Sequence, residues 1–215
     1  DVCSSDLKYL LTASLRADGS STLAKGHKWG YFPSVAGGWR MIEESWLKDQ
    51  KVLSNLKLRA SWGISGNAAI DAYSTLTSLS ANTYYYYLGN TDVSGKIPSQ
   101  LGNPNLTWEK TSSFNLGLDF GFLDGRISGS IDYYWNHTYD LLFYKTAPAS
   151  SFPTVIDNIG KTKGQGLEIS LMTDIIRTKD FDWTANWSYS HFKDEITELT
   201  DRKSTRLNSS HPSRS

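Results

Sequence analysis

This sequence of 215 residues has little cysteine and histidine. It also has no long apolar run and no excess of either charge. A single cysteine excludes a disulfide framework, and one cysteine with four histidines argues against a zinc cluster. No apolar run approaches the roughly 20 residues that a membrane-spanning helix needs. The 22 basic and 22 acidic residues balance, which leaves no electrostatic footprint for nucleic acid. A membrane barrel of half-apolar strands is compatible with all of these absences.

Aromatic residues are abundant instead, with 8 Trp and 12 Tyr, and many lie in segments where apolar and polar residues alternate. In residues 113–122, for example, Phe114, Leu116 and Leu118 alternate with polar or small residues such as Asn115. A period of two is typical of a strand with two unlike faces. The pattern predicts seven strands, at residues 11–18, 31–41, 56–65, 113–122, 126–136, 166–171 and 182–189.

The predicted connections alternate between short and long. The short or moderate ones are residues 43–54, the type I′ hairpin signal Asp124-Gly125 and residues 175–180. The longer ones are residues 19–28, 67–106 and 137–163. Short turns at one rim and long loops at the other are typical of bacterial membrane barrels. We therefore expect an all-β fold, an antiparallel up-and-down meander.

The two faces of these strands differ in charge. The apolar faces carry no Asp, Glu, Lys or Arg, whereas the opposite faces carry several. Because a Lys or Arg facing lipid at mid-membrane costs roughly 2–4 kcal/mol, this segregation favours lipid outside and a polar lumen inside. The longest runs match a tilted membrane strand, and Trp and Tyr form two belts typical of membrane interfaces. A soluble β-sandwich that binds carbohydrate is the alternative, since its sheets also have one apolar face.

The two ends of the chain differ from the rest. Residues 1–7 (DVCSSDL) and 201–211 (DRKSTRLNSSH) resemble translated sequencing-adapter sequence. We therefore expect residues 1–7 and 201–215 to be artefacts outside the fold, which leaves residues 8–200 as a barrel segment of about seven strands from a longer protein. An open sheet in lipid would leave backbone groups unsatisfied at both edges, so this segment is expected to fold within its parent chain.

Several separated blocks resemble one known family. They are YLLTASLRADGSS (residues 9–21), KWGYFPSVAGGWRMIEESWL (28–47), LSNLKLRASWGISGN (53–67), NPNLTWEKTSSFNLGLDFGFLDGRISGSIDYYWNHTYDLL (103–142) and NIGKTKGQGLEISL (158–171). In order and spacing these blocks resemble the later half of the barrel in the SusC/RagA family of TonB-dependent outer-membrane transporters of Bacteroidetes. The resemblance covers essentially all of residues 8–200.

This resemblance implies a transmembrane barrel of about 22 strands around a plug domain, in the outer membrane of a Gram-negative bacterium. It also implies the import of oligosaccharides or peptides, together with a SusD-like surface lipoprotein that caps the external mouth. TonB–ExbB–ExbD would supply energy through the plug, which this sequence lacks along with the TonB box. A passive porin-like barrel without a plug is the alternative within membrane proteins.

Candidate contact residues form two groups. Aromatic rings stack on sugars and dominate interfaces, so the aromatic residues of the two long connections are candidates for facing a ligand or partner, with ordinary loop packing as the alternative. They are Tyr84, Tyr85, Tyr86, Tyr87, Phe143, Tyr144 and Phe152. Charged residues of the polar faces are candidates for contacting the plug, with simple solvation in the lumen as the alternative. They are Arg16, Arg40, Lys57, Arg59, Asp119 and Asp132.

Motifs for catalysis and cofactors are not found in the sequence. Gly164-Gln-Gly166 opens a predicted strand instead of a helix, which is wrong for a dinucleotide loop. Gly63-Ile-Ser65-Gly66 lacks the spacing of a nucleophile elbow. The histidines are isolated in sequence, which argues against a metal site. We therefore expect no enzymatic activity, no cofactor and no bound metal.

Overall fold

Eleven strands make up most of the chain. The computed structural model describes residues 7–47, 51–88, 91–146 and 154–199, with backbone only for residues 81–88, 91–94 and 146. The strands are β1 (Tyr9–Gly19), β2 (Trp29–Arg40), β3 (Leu53–Asn67), β4 (Ser78–Leu88), β5 (Thr91–Gln100), β6 (Glu109–Phe122), β7 (Ile127–Tyr139), β8 (Leu142–Thr146), β9 (Thr154–Asn158), β10 (Lys161–Arg177) and β11 (Asp182–Glu198). Seven of them form one sheet in the order β1-β2-β3-β6-β7-β10-β11.

The seven-stranded sheet is an antiparallel meander. We call one end of it the short-turn end, where residues 41–52, 123–126 and 178–181 connect the strands. We call the other the long-loop end, where residues 20–28, 68–108 and 140–160 do so. The predicted all-β antiparallel meander is confirmed. Its strands have 11 to 17 residues, as long as or longer than the roughly 9–11 that a tilted membrane strand needs.

The four remaining strands were not predicted from the sequence. They form two separate hairpins, β4–β5 and β8–β9, inside the two longest connections. β4 and β5 read SLSANTYYYYL and TDVSGKIPSQ, with few aliphatic residues and a run of four tyrosines. The alternation that marks the sheet strands is therefore weak here, and period two gives little signal.

The register of the sheet places the apolar positions predicted from the alternation on one side. Leu116 pairs with Tyr133, and Leu118 pairs with Ile131. One continuous row of paired residues crosses all seven strands and is entirely apolar or aromatic: Tyr9, Trp39, Leu58, Leu118, Ile131, Ile169 and Tyr189. A slip by one residue in any pair would turn one strand over. The sheet therefore has a continuous apolar face, which contains this row, and a polar face on the opposite side.

The turn between β6 and β7 has the conformation that its sequence predicts. Asp124 and Gly125 have φ values of 55° and 82°, and the Arg126 N–H donates to the Leu123 carbonyl at 3.1 Å. Positive φ at both central residues is the requirement of a type I′ turn, which suits the twist of the flanking strands. Leu123 also has a positive φ of 53°, an uncommon conformation for leucine.

The buried hydrophobic side chains gather at the long-loop end of the molecule. Leu23, Phe32, Leu106, Trp108 and Ile156 form the one hydrophobic cluster found among the described residues. Four of them come from three connections that are distant in sequence, and Phe32 comes from β2. The cluster therefore packs the long loops together and against the end of the sheet. No helix in the described ranges is both long and apolar enough to cross a membrane.

Candidate functional site

An ionic cluster spans three adjacent strands on the polar face. Arg59 of β3 donates from Nε to Asp119 Oδ2 at 2.9 Å and from Nη2 to Asp119 Oδ1 at 2.8 Å. The same Nη2 donates to Asp132 Oδ1 at 2.9 Å. Asp119 lies on β6 and Asp132 on β7, so one guanidinium connects three strands. A bidentate arginine–carboxylate pair, such as Arg59 with Asp119, is among the strong forms of ion pair between side chains.

The cluster depends on a glycine between its members. Gly117 pairs with Arg59 on one side and with Asp132 on the other. A Cβ at this position would lie 2.7 Å from Arg59 Nη2 and would collide with the Asp132 carboxylate. Because Gly117 has no side chain, the Arg59 guanidinium can extend across β6 to Asp132 on β7.

The other predicted polar-face charges pair separately. Arg16 Nε lies 2.8 Å from the Asp18 carboxylate, and Arg40 Nη2 lies 3.1 Å from that of Glu43. Lys57 is the cross-strand neighbour of Arg40 on β2 and of Asp119 on β6. All six predicted charges thus lie on the polar face, and side-chain hydrogen bonds join Arg59, Asp119 and Asp132. Contact of these residues with a plug stays a prediction.

Asn158 ties the two longest connections together at the long-loop end. Its Nδ2 donates to the carbonyls of Thr107 at 3.0 Å and Asp140 at 2.8 Å. Its Oδ1 accepts from the Thr107 N–H at 2.8 Å. The Leu142 N–H adds a bond to Glu109 Oε2 at 3.1 Å. These bonds hold the start of β6 against the β8–β9 hairpin.

A second set of bonds surrounds the Asp157 carboxylate in the same hairpin. Lys145 Nζ lies 2.6 Å from Oδ2, and Asn103 Nδ2 donates to Oδ1 at 3.0 Å. Burial alone would raise the pKa of Asp157. The hydrogen bonds from Lys145, Asn158 and Asn103, together with the Lys145 charge, outweigh it and hold this pKa below its ordinary value. The charged carboxylate of Asp157 therefore links the β8–β9 hairpin to the connection that contains Asn103.

Two of the predicted aromatic contact residues are exposed at the long-loop end. Phe143 and Tyr144 on β8 are both more than half exposed. The Tyr144 hydroxyl donates to Asp71 Oδ2 at 3.5 Å, next to Tyr73, which is also exposed and has a φ of 68°. The structure thus offers aromatic surface from two different connections on this end of the sheet.

The remaining aromatic candidates fall where side chains are not described. Tyr84, Tyr85, Tyr86 and Tyr87 lie within β4, where the last three pair with residues of β5, but their side chains lie outside the described part. Phe152 lies outside the described residues altogether. Ligand or partner contact by these aromatic residues stays a prediction.

Aromatic residues of the apolar face direct their polar atoms towards the nearer end of the sheet. At the short-turn end, Trp39 Nε1 and the Tyr9 hydroxyl donate to Glu44 Oε1 at 3.0 Å and 2.9 Å. These two bonds, with a third from Lys8, lower the pKa of Glu44. Nearer the long-loop end, Trp62 Nε1 donates to Ser112 Oγ at 3.0 Å. Amphipathic rings arranged in this way are typical of the two interfaces of a membrane.

Sequence reasoning missed Asn103, Asn158 and Gly117 as organising residues. A weak signal existed for Asn103, since Asn-Pro favours turn initiation. Asn158 and Gly117 gave no such signal, because their roles depend on which strands become neighbours. Among the described residues, no group of three or more His, Cys, Asp or Glu side chains has the arrangement of a metal site.

Comparison with known proteins identifies the family. The model of the TonB dependent receptor-like β-barrel family matches residues 4–214. The TonB-dependent receptor SusC of Bacteroides thetaiotaomicron is 44% identical over 198 residues, which are 90% of this chain and 20% of that protein. TonB-dependent receptor P26 of Formosa agariphila is 39% identical, over 89% of this chain and 19% of that protein.

A solved structure gives the same result in three dimensions. The structure of the RagAB peptide importer in its closed-closed state superimposes with a TM-score of 0.80 at 32% identity, covering 89% of this chain and 21% of that one. The chain therefore spans about a fifth of the length of the relatives it matches. The fold, the two unlike faces of the sheet and these matches all agree. The chain therefore belongs to the TonB-dependent receptor-like β-barrel family.

Proposed function

We propose that this chain forms part of the wall of an outer-membrane nutrient transporter, with its apolar face against lipid. The observation that carries the proposal is the continuous apolar face across seven strands. Side chains in the middle of the sheet are open to the surroundings: Leu116 is 39% exposed and Ile131 37%. Leu11, nearer one edge, is 80% exposed. Apolar patches of this extent mark a membrane or an interaction surface.

The exposure of this face argues against the soluble β-sandwich. A sandwich would place a second sheet about 10 Å from Leu116 and Ile131 and bury them. In the described ranges, the two additional sheets are hairpins within the long-loop connections, and the hydrophobic cluster, to which β9 contributes Ile156, lies at the long-loop end. Lipid chains supply the missing apolar environment without any further protein layer.

The orientation follows from the lengths of the connections. Short turns face the periplasm and long loops face outside in bacterial barrels, so the long-loop end is external and the polar face lines the lumen. The Arg59 cluster then lies on the lumen wall, where a plug domain elsewhere in the parent protein would reach it. TonB–ExbB–ExbD would act on that plug.

The relatives support import as the activity of the parent protein. RagAB is described as a peptide importer, and SusC is a TonB-dependent receptor. We assign an oligosaccharide or peptide ligand, and a SusD-like lipoprotein that docks at the long-loop end. The exposed Phe143 and Tyr144, with the tyrosine run of β4, are the proposed contact surface for one or both.

The experiment replaces adjacent residues that face opposite sides. In the full-length parent protein, Leu116→Arg places a charge on the apolar face, at a cost of roughly 2–4 kcal/mol at mid-membrane. Asn115→Arg places the same charge on the polar face. We expect the first variant to lose most of its assembly into the outer membrane, measured by membrane fractionation and heat-dependent gel mobility, and the second to assemble nearly normally. Equal assembly of the two variants would contradict the proposal.

A further inference from the structure

A groove of about 400 Å³ opens on the apolar face near the long-loop end. One part of its lining is aromatic and consists of Trp62, Phe114 and Trp135. Another part is polar and includes Lys163 and Lys193. The groove is thus amphipathic, although it lies on the face whose middle is purely apolar.

The register explains how the two linings meet. One row of paired residues across β6, β7, β10 and β11 consists of Phe114, Trp135, Gln165 and Lys193. The next row towards the long-loop end consists of Ser112, His137, Lys163 and Glu195. The apolar face therefore changes from aromatic to charged within two rows, with Lys163 and Lys193 as its cations and Glu195 as its anion.

The basic groups of the groove are poorly neutralised by the protein itself. Among the described residues, Lys163 has no carboxylate within 4.0 Å. Lys193 forms an ion pair with Glu195, but at the long distance of 3.8 Å. Both partners of that contact are about two-thirds exposed, so it contributes little. The buried Nδ1 of His137 has no hydrogen-bond partner in the same part of the chain. The groove therefore offers two lysines, the single carboxylate of Glu195 and one unpartnered ring nitrogen.

We propose that this groove binds the phosphate headgroup of an anionic lipid of the outer leaflet. The phosphate contacts Lys163 and Lys193, and an acyl chain lies along Trp62, Phe114 and Trp135. Charge complementarity selects an anion, and the aromatic half of the groove selects one that carries a hydrocarbon chain. This inference rests on the proposed function, because it requires the apolar face to be in lipid with the long-loop end outside.

The test uses the full-length receptor in detergent micelles, with phosphatidic acid as the probe and phosphatidylcholine of the same acyl chains as the neutral comparison. Native mass spectrometry measures the lipid retained. Removing a lysine near a lipid phosphate is expected to weaken retention roughly fivefold, so Lys163→Gln with Lys193→Gln is expected to weaken it roughly 25-fold. The paired arginine variant at both positions is expected to retain phosphatidic acid.

The matched control, Lys25→Gln with Lys179→Gln, removes two positive charges outside the groove and is expected to bind phosphatidic acid as the unaltered receptor does. Unchanged retention by the Lys163 and Lys193 double variant would overturn the inference. Equal retention of phosphatidylcholine, or displacement of phosphatidic acid by inorganic phosphate alone, would do so too. Membrane assembly of Leu116→Arg reports separately on the proposed function, so failure of the two ideas is distinguishable.

Discussion

The two faces of the seven-stranded sheet share one backbone and one register but differ in how their side chains are satisfied. On the polar face, Arg59 finds Asp119 and Asp132 on the next two strands, so the wall neutralises its own charges. On the apolar face, Leu116 and Ile131 remain open. The Arg59 cluster of the polar face is thus neutralised within this chain, whereas the apolar face requires an apolar environment that the described residues do not supply.

Among substitutions that leave the apolar face intact, the largest effect is expected from one that breaks the Arg59 cluster. Gly117→Val places a branched side chain against Arg59 and Asp132. Overpacking of this kind, together with loss of the ion pairs, is expected to cost about 3 kcal/mol in the free energy of unfolding. Urea unfolding of the full-length protein in lipid vesicles measures the change.

The matched control for that substitution is Ser61→Val, which adds the same side chain on the polar face of β3. It is expected to change the free energy of unfolding by less than about 1 kcal/mol. If both variants lost the same stability, the Arg59 cluster would have no special role in joining β3, β6 and β7.

A smaller and more local effect is expected at the long-loop end. Asn158→Ala removes the side-chain bonds to Thr107 and Asp140 and leaves their polar groups unpaired, at a local cost of about 1–2 kcal/mol. Hydrogen–deuterium exchange is expected to accelerate at residues 101–107 and 154–160 while the β6–β7 ladder stays protected. Asn105→Ala, at an exposed position in the connection that contains Thr107, is the control and is expected to leave exchange unchanged. Equal exchange in the two variants would contradict the role of Asn158.

The smallest effect concerns pH at the short-turn end. Hydrogen bonds from Trp39, Tyr9 and Lys8 hold the pKa of Glu44 below its ordinary value of 4.5. A lowered pKa in the folded state means that the carboxylate stabilises the fold above pH 4.5, and that this contribution is lost as pH falls through the folded pKa. Acid titration of Trp fluorescence in the full-length protein is expected to show this step. Glu44→Gln is expected to remove it, and a step of equal size in that variant would assign it to another group.

The sheet could be predicted from the sequence because its two faces meet different surroundings. Leu116 and Leu118 alternate with Asn115 and Asp119, and that period of two survives along every strand of the sheet. The Asp124-Gly125 turn could also be predicted, because only a few residue types readily adopt the positive φ that it requires. The assignment of residues 1–7 and 201–215 as artefacts stays a prediction.

The rest depended on neighbours that the sequence does not reveal. Arg59, Asp119 and Asp132 were recognised as polar-face charges, but their meeting depends on β3 pairing with β6 across the long insertion between them. Asn158 and Thr107 are 51 residues apart in sequence, and no local pattern joins them. The sequence of the β4–β5 hairpin alternates only weakly between apolar and polar residues, so its strands were not recognised within the long connection.

The most direct test of the central claim is a spin-label scan along residues 114–120 of β6, one label at a time, in the full-length protein in bilayers. Oxygen concentrates in hydrocarbon, whereas a water-soluble nickel complex does not. The account predicts that accessibility to oxygen peaks at positions 114, 116, 118 and 120, and that accessibility to nickel peaks at the positions between them. Nickel accessibility at positions 116 and 118, or low accessibility to both reagents there, would place the apolar face in water or in a protein interior and contradict the account.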